Sequence, residues 1–355
     1  MDTWKLDEAN EGDKEISLVE SRTYKYPDMK KEDFVFSKPK NVENVKEAIS
    51  VKTKPLTVVC GLNNIGNTCY MNSVIQCLAA SNPIVKYTLN KKISVETSES
   101  DLSHEFFKLL RLMYSGEFLS FSPTSFRESF IREHKEFDNF NPQDSQEFLI
   151  QLLNSLHEEL RDQCVNDKSI LSDAFRGQLK STLVCKSCMS VSDMVIPFWT
   201  LSLDLPIEKF MEKLTLEDCL STFTEPEELN SDSGWICSQC GVPSAATKTL
   251  SILSPDYLII HLKRFSYSDS GPTKLKYKVK FPLEGLDLGS YKFDLYAVVC
   301  HFGFITGGHY TSLTKNVNCG AWFKFSDSNI NEDGPNDDTP ADAYVLFYQR
   351  KIDEL

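Results

Sequence analysis

The sequence predicts an α+β fold on two observations. Apolar residues recur at helical spacing through the first half of the chain, and after Phe175 the pattern changes to short runs rich in β-branched and aromatic residues. Helices first and strands later place a helical part against a largely antiparallel sheet. In the earliest helix, expected over residues 70–80, Val74, Ile75 and Leu78 share a face and Ser81-Asn82-Pro83 supplies the stop, so that Cys69 opens it. A second helix is expected over 102–114 and a third over 144–161, the latter with Phe148, Leu149, Leu152, Leu153 and Leu156 on its apolar face. Strands are expected at 179–184, 257–265, 296–302, 310–314 and 343–348. Residues 1–57 mix charge with Trp4, Tyr24, Tyr26, Phe34 and Phe36 without a sustained period, and read as a flexible arm or short docking segment. The folded unit is then expected from about residue 58 to about 350, with 351–355 as a tail.

Composition narrows the function classes. With 355 residues, 41% hydrophobic and 25% charged, the chain can bury the core of one large catalytic unit or two modest domains. A net charge of -13 argues against a nucleic-acid backbone as the main partner, because phosphate binding relies on clustered Lys and Arg. A basic protein partner fits that charge better, and solubility alone is an equally ordinary reason for it. The charged start MDTWKLDEANEGDKE stands where a secretory signal needs an apolar run, and no stretch has the length of a membrane helix. The expectation is a monomeric chain in the cytoplasm or nucleus. The terminal KIDEL looks like a retention signal, but nothing provides entry to the lumen in which such signals act. In a reducing compartment the eleven cysteines call for thiol chemistry or metal ligation where they are organised at all.

The segment Gly61-Leu-Asn-Asn-Ile-Gly-Asn-Thr-Cys69-Tyr puts a cysteine in the first turn of a helix, after a glycine-containing loop. This placement predicts a lowered thiol pKa, since the helix dipole and its unpaired amides favour thiolate and can also hold an oxyanion. Asn64 stands where it can add a side-chain donor to that oxyanion. A lone cysteine is more often an inert buried thiol, and it is the other motifs that argue for a nucleophile. Residues 61–78 resemble the cysteine box of the ubiquitin-specific proteases through Asn64, Asn67, Cys69, Tyr70, Asn72, Ser73 and Gln76. Gln143-Asp-Ser-Gln-Glu-Phe-Leu149 resembles a second box of that family, which implies Asp144, with Gln143 and Gln146 beside it, as contacts to the substrate protein. Read from the residues alone, Asp144 is a helix N-cap, and the two roles can coexist.

Gly307-Gly-His309-Tyr resembles the family's histidine box, implying His309 as general base with Gly307, Gly308 and Tyr310 lining the approach of the substrate tail. A third group must hold the imidazole by its other nitrogen. In the stretch Trp322-Phe-Lys-Phe325-Ser326-Asp327, Ser326 stands where the family presents Asp or Asn, and Asp327 matches the acidic residue that follows. Neighbours on an extended strand face opposite ways, so Ser326 is expected to orient the ring directly and Asp327 to act through a polar network near the oxyanion. A neutral hydroxyl makes the weaker bond to the ring, which implies lower activity.

Cys185-Lys-Ser-Cys188 and Cys237-Ser-Gln-Cys240 form two Cys-x-x-Cys pairs whose spacing suits one tetrahedral structural zinc, with a redox pair as the competing reading. Cys60, Cys77, Cys164, Cys219, Cys300 and Cys319 lack ligand-like spacing and read as packing, and His261, His301 and the strand 259–265 as architecture, the strand ending in charges. The resemblance extends over roughly 58–350. It implies a papain-like fold with a thumb over about 58–170, palm and fingers over about 171–350, and a zinc-bearing region of the fingers at about 180–245. By similarity the activity is that of a cysteine-type ubiquitinyl hydrolase, with ubiquitin and ubiquitinated proteins as partners and cleavage after the last glycine of ubiquitin through a thioester. Two other readings stay open at this level: a ubiquitin-binding scaffold of the same fold with a weak dyad, and a zinc-ribbon interaction module.

Overall fold

The computed structural model describes residues 59–90, 101–161, 168–206, 208–209, 214–268, 271–304, 307–337 and 339–351. The expected amino-terminal arm, Cys164 and all of the expected tail but Lys351 lie outside the described residues. Helices α1 (Cys69–Ala79), α2 (Asn82–Asn90), α3 (Leu102–Tyr114), α4 (Thr124–Glu133), α5 (Ser145–Leu160) and α6 (Ile170–Phe175) come first. The three helices expected from apolar spacing are among them. The last differs by its start, because Asp144 has extended backbone and accepts the Gln146 amide as the N-cap of α5.

Every residue of α1 is buried, which is the pattern of a helix enclosed on all sides rather than laid on a surface. One side meets α5 and an aromatic cluster in which the Phe130 ring lies 4.7 Å from Phe148 and 5.2 Å from Phe137, centroid to centroid. The other side meets the large sheet through Ala297, Val299 and Tyr310.

The strands that build the two larger sheets are β1 (Gly177–Cys185), β2 (Val191–Phe198), β3 (Thr200–Leu203), β4 (Glu227–Leu229), β5 (Ala246–Leu253), β6 (Tyr257–Leu262), β7 (Lys292–Phe304), β8 (Gly307–Lys315), β9 (Trp322–Ser326), β10 (Asn329–Glu332) and β11 (Ala343–Arg350). The large sheet runs β10-β9-β8-β7-β11-β6-β3, with the short strand Leu286–Asp287 beside β7. It is antiparallel except where β3 joins β6. A separate four-stranded sheet runs β2-β1-β5-β4. All five expected strands are present; several run longer than expected because pairing continues past the last buried side chain, whereas the one expected over 257–265 stops at Leu262 and a separate short strand, Phe265–Ser268, begins after Lys263-Arg264. Helix α7 (Leu216–Thr224) is not among the expected elements; its signal is the capping box in which Thr215 and Asp218 bond each other's backbone amides.

The buried strand expected to end in charges is followed by Lys263, which is exposed and pairs with Asp204 at 3.1 Å, and by Arg264, which is not exposed. Arg264 is fully buried. Its guanidinium donates to four carbonyls, those of Ala343 (2.6 Å), Leu275 (3.1 Å), Tyr277 (2.7 Å) and Pro340 (2.7 Å), and so fastens three chain segments. Burial lowers its pKa to about 10, which leaves it charged at neutral pH. Arg264→Ala would strand these carbonyls and should cost at least about 3 kcal/mol in urea unfolding. A loss under about 1 kcal/mol would show that water replaces the guanidinium freely.

Candidate active site

The loop before α1 is wound around one side chain. Asn64 Oδ1 accepts the backbone amides of Gly66 and Thr68, each at 3.1 Å, while Thr68 Oγ1 accepts from Ile65 N at 3.0 Å. These bonds turn the chain into the helix and leave Cys69 at its first position, 8% exposed. Here the structure departs from the expected low thiol pKa. Burial, the largest influence, raises Cys69 above its ordinary value of 9.0, and the Asp327 charge pushes the same way; the amides of Tyr310, Tyr70 and Cys69 itself pull it down without prevailing. Burial outweighs the dipole because α1 is enclosed along its whole length.

His309 lies on β8 opposite Phe302, and its Nε2 is 2.8 Å from Ser326 Oγ at the end of β9. With Nε2–H donated to the serine, Nδ1 keeps the lone pair a base requires. Among the described residues no hydrogen bond joins the Cys69 sulfur to the His309 ring. The two are linked through the chain, since one of the amides acting on the sulfur belongs to Tyr310, the residue after His309.

Ser326 and Asp327 diverge because the chain turns between them, Asp327 taking a left-handed φ of 54° in the turn from β9 to β10. The Asp327 carboxylate accepts from Asn64 Nδ2 at 3.0 Å through Oδ2 and from Asn72 Nδ2 at 2.8 Å through Oδ1. Its carbonyl accepts the Leu62 amide at 3.2 Å. The carboxylate thus ties the sheet turn to α1 and to the loop preceding it. Asn72 matches the cysteine box without an expected role; its amide also reaches the carbonyls of Leu62 and Asn63 at 3.2 and 3.3 Å.

Asp144 spends both oxygens within the chain, one on the Gln146 amide at 2.7 Å and one on the Tyr344 hydroxyl at 2.6 Å. Burial raises its pKa, and the Tyr344 hydroxyl and the amides of Gln146 and Glu147 oppose the rise. Tyr344 escapes sequence reasoning because a β-strand tyrosine carries no sign of a partner two hundred residues away. Gln143 donates to Glu136 O at 3.3 Å and Asn139 Oδ1 at 3.1 Å, and Gln146 to Thr200 Oγ1 at 3.4 Å. Tyr310 is buried, its ring 4.6 Å from His301 and 6.0 Å from Tyr344, so its backbone faces the cysteine. Gly307 has open space around it, whereas a side chain on Gly308 would begin 2.2 Å from His301 Nε2 and 2.5 Å from Phe302 O. His301 and His261 are buried and pushed down to about 4, which keeps both neutral.

Far along the chain, the sulfurs of Cys185, Cys188, Cys237 and Cys240 all lie within 4.8 Å of one another and can hold a metal ion. Cys185 and Cys240 are 3.9 Å apart, Cys188 and Cys237 3.7 Å. The Cys240 amide donates to the Cys237 sulfur at 3.4 Å, the bond that curls a knuckle around its first thiol. Of the other cysteines, Cys60, Cys77, Cys219 and Cys300 are buried as packing requires, but Cys319 is exposed.

A family model described as ubiquitin carboxyl-terminal hydrolase matches residues 60–348. The chain is 34% identical to ubiquitin carboxyl-terminal hydrolase Usp2 of Drosophila melanogaster, over 87% of this chain and 36% of that protein. It is 35% identical to ubiquitin carboxyl-terminal hydrolase 2 of Gallus gallus, over 84% of this chain and 95% of that one. It therefore spans from about a third to nearly all of the curated relatives it matches, and for the Bos taurus protein 56%. Among solved structures, the SAGA DUB module Ubp8/Sgf11/Sus1/Sgf73 bound to monoubiquitin aligns with TM-score 0.71 at 25% identity, covering 86% of this chain and 73% of that one. The same module bound to ubiquitin aldehyde aligns with TM-score 0.70.

The raised thiol pKa has a measurable consequence. Reaction of Cys69 with iodoacetamide in a His309→Ala variant should follow thiolate and show its inflection above 9.0, with wild type inflecting lower because the imidazole can take the proton. Equal inflections in the two proteins would mean that His309 does not act on the thiol.

Proposed function

The chain belongs to the ubiquitin carboxyl-terminal hydrolase family, and from that premise we propose that it is a thiol-dependent deubiquitinase cleaving after the carboxyl-terminal glycine of ubiquitin. The observation that carries this reading is the 2.8 Å contact between His309 and Ser326, beside a cysteine that opens a buried helix. His309 Nδ1 takes the Cys69 proton as the sulfur attacks the glycine carbonyl, then gives that proton to the departing lysine amine. Water, deprotonated by the same ring, hydrolyses the thioester and frees the carboxylate and the thiol. The oxyanion formed in both steps is met by the Cys69 amide and by the second N–H of Asn64, whose first N–H is anchored on Asp327. Ser326 orients the ring, and accepting its Nε2–H as a neutral group it stabilises imidazolium less than a carboxylate would.

The substrate's globular part is assigned to the fingers, within about 180–245, and its tail to the groove between thumb (about 58–170) and palm, past Asp144 and Gly307-Gly308. Support for the first assignment is the apolar face of the small sheet, where Met194 and Ile196 are 60% and 46% exposed beside Leu179 and Leu250. The similar solved structures bound to monoubiquitin and to ubiquitin aldehyde support ubiquitin as the occupant. The metal is assigned as zinc: bonds of about 2.3 Å to four tetrahedral thiolates put sulfurs about 3.8 Å apart, close to the 3.7 and 3.9 Å observed. A closed set of four thiolates supplies cohesion and no catalysis.

Ubiquitin with an electrophilic carboxyl terminus should label wild type and not Cys69→Ala, and a fluorogenic ubiquitin conjugate should be turned over. Ser326→Ala should lower kcat about tenfold and Asp327→Ala about a hundredfold; a loss confined to Asp327→Ala would take the orienting role from Ser326. Labelling without turnover would make the chain a ubiquitin-binding protein of this fold. Elemental analysis should find one zinc per chain, and Cys237→Ser should remove it and lower the melting temperature; a zinc-free protein of unchanged stability would refute the assignment.

A further inference from the structure

An exposed aromatic outside all the motifs is held against the catalytic loop. Phe140, in the segment between α4 and α5, is 68% exposed, the position of a side chain that could ordinarily swing free. It is instead constrained from three directions. Its ring lies on Gly66, where a Cβ would begin only 2.4 Å from Phe140 Cδ1. Its carbonyl accepts Asn67 Nδ2 at 2.6 Å. The Arg127 guanidinium sits 5.6 Å from its ring centroid while donating to Asn139 O at 3.2 Å. The segment behind the ring is itself stiff, since Asn139 and Gln143 bond back to Glu136 O.

The two residues beneath Phe140 both have positive φ. Gly66 has φ 111° and Asn67 φ 51°, both in the left-handed region. That conformation aims the amides of Gly66 and Thr68 at Asn64 Oδ1, and so sets the direction of the Asn64 amide. We propose that Phe140 is a positioning residue: its ring and carbonyl clamp Gly66-Asn67 in the left-handed turn and thereby aim Asn64 at the oxyanion. The contact acts through the loop and not on the thiol. The catalytic part of this claim rests on the deubiquitinase reading; the clamp itself does not.

Both parts are tested with Phe140→Ala and Phe140→Tyr in the full chain. Hydrogen exchange of peptides spanning residues 61–69 reads the clamp without any substrate. It should quicken about tenfold in Phe140→Ala and stay at the wild-type rate in Phe140→Tyr, with the melting temperature unchanged because the ring is exposed. Unchanged exchange in Phe140→Ala overturns the proposal whatever the enzyme does. With the fluorogenic conjugate, Phe140→Ala should lose about tenfold in kcat with KM within about twofold, and Phe140→Tyr should restore it. Iodoacetamide reactivity of Cys69, which needs no oxyanion donor, should not change. A loss confined to KM overturns the positioning role in favour of substrate contact. If wild type turns over no conjugate, the deubiquitinase reading fails, and exchange still decides the clamp.

Discussion

The enclosure of α1 is the constraint from which the rest of the site follows. A helix buried on all sides cannot leave Asn72, Ser73 and Gln76 to water, and each finds its partner inside: Gln76 on the Cys60 carbonyl at 2.8 Å, Ser73 on the Tyr70 carbonyl at 3.0 Å, and Asn72 on Asp327 and two loop carbonyls. Because the partners of Gln76 and Asn72 come from the loop ahead of the helix and from the strand turn, the bonds of these two amides also fix where the cysteine sits. One carboxylate, that of Asp327, does this for both loop and helix.

The same enclosure works against the thiol's ionisation. Burial and the Asp327 charge raise Cys69, and three amides only partly offset them. The site is therefore organised for position more than for a standing thiolate, and in the proposed reaction the proton leaves to His309 as the sulfur attacks. That places weight on the imidazole's orientation. A serine hydroxyl at 2.8 Å supplies direction without charge, so the Asp327 carboxylate is spent on Asn64 and Asn72 rather than on the ring.

Much of this was legible in the sequence, and the exceptions share a cause. Helices α1, α3 and α5 and the cores of five strands follow from apolar periodicity, because each carries a face that must be buried. The four clustered cysteines stand out by their spacing, and Cys69, His309 and Ser326 through segments that resemble boxes of the family. What the sequence conceals is pairing across distance: Tyr344 with Asp144, Arg264 with four carbonyls, Asp327 with Asn72. Such bonds leave no local pattern. The thiol pKa departs from expectation for a related reason, since the dipole is a local property of a helix start whereas desolvation depends on everything packed around it.

The two sheets are stabilised by different means. In the large sheet β6 is buried throughout and β11 nearly so, and it lies between two apolar clusters. In the small sheet β2 is exposed along almost its whole length, with Val191, Met194 and Val195 turned to solvent. A sheet with so little enclosed on either face lacks the apolar burial that ordinarily holds strands in register. Its two Cys-x-x-Cys turns bring the end of β1 to a second turn some fifty residues later, and the four sulfurs gathered there can hold a metal ion. The exposed apolar residues of β2 therefore stand on a sheet whose strands are tied at one end by clustered thiols more than by a covering layer.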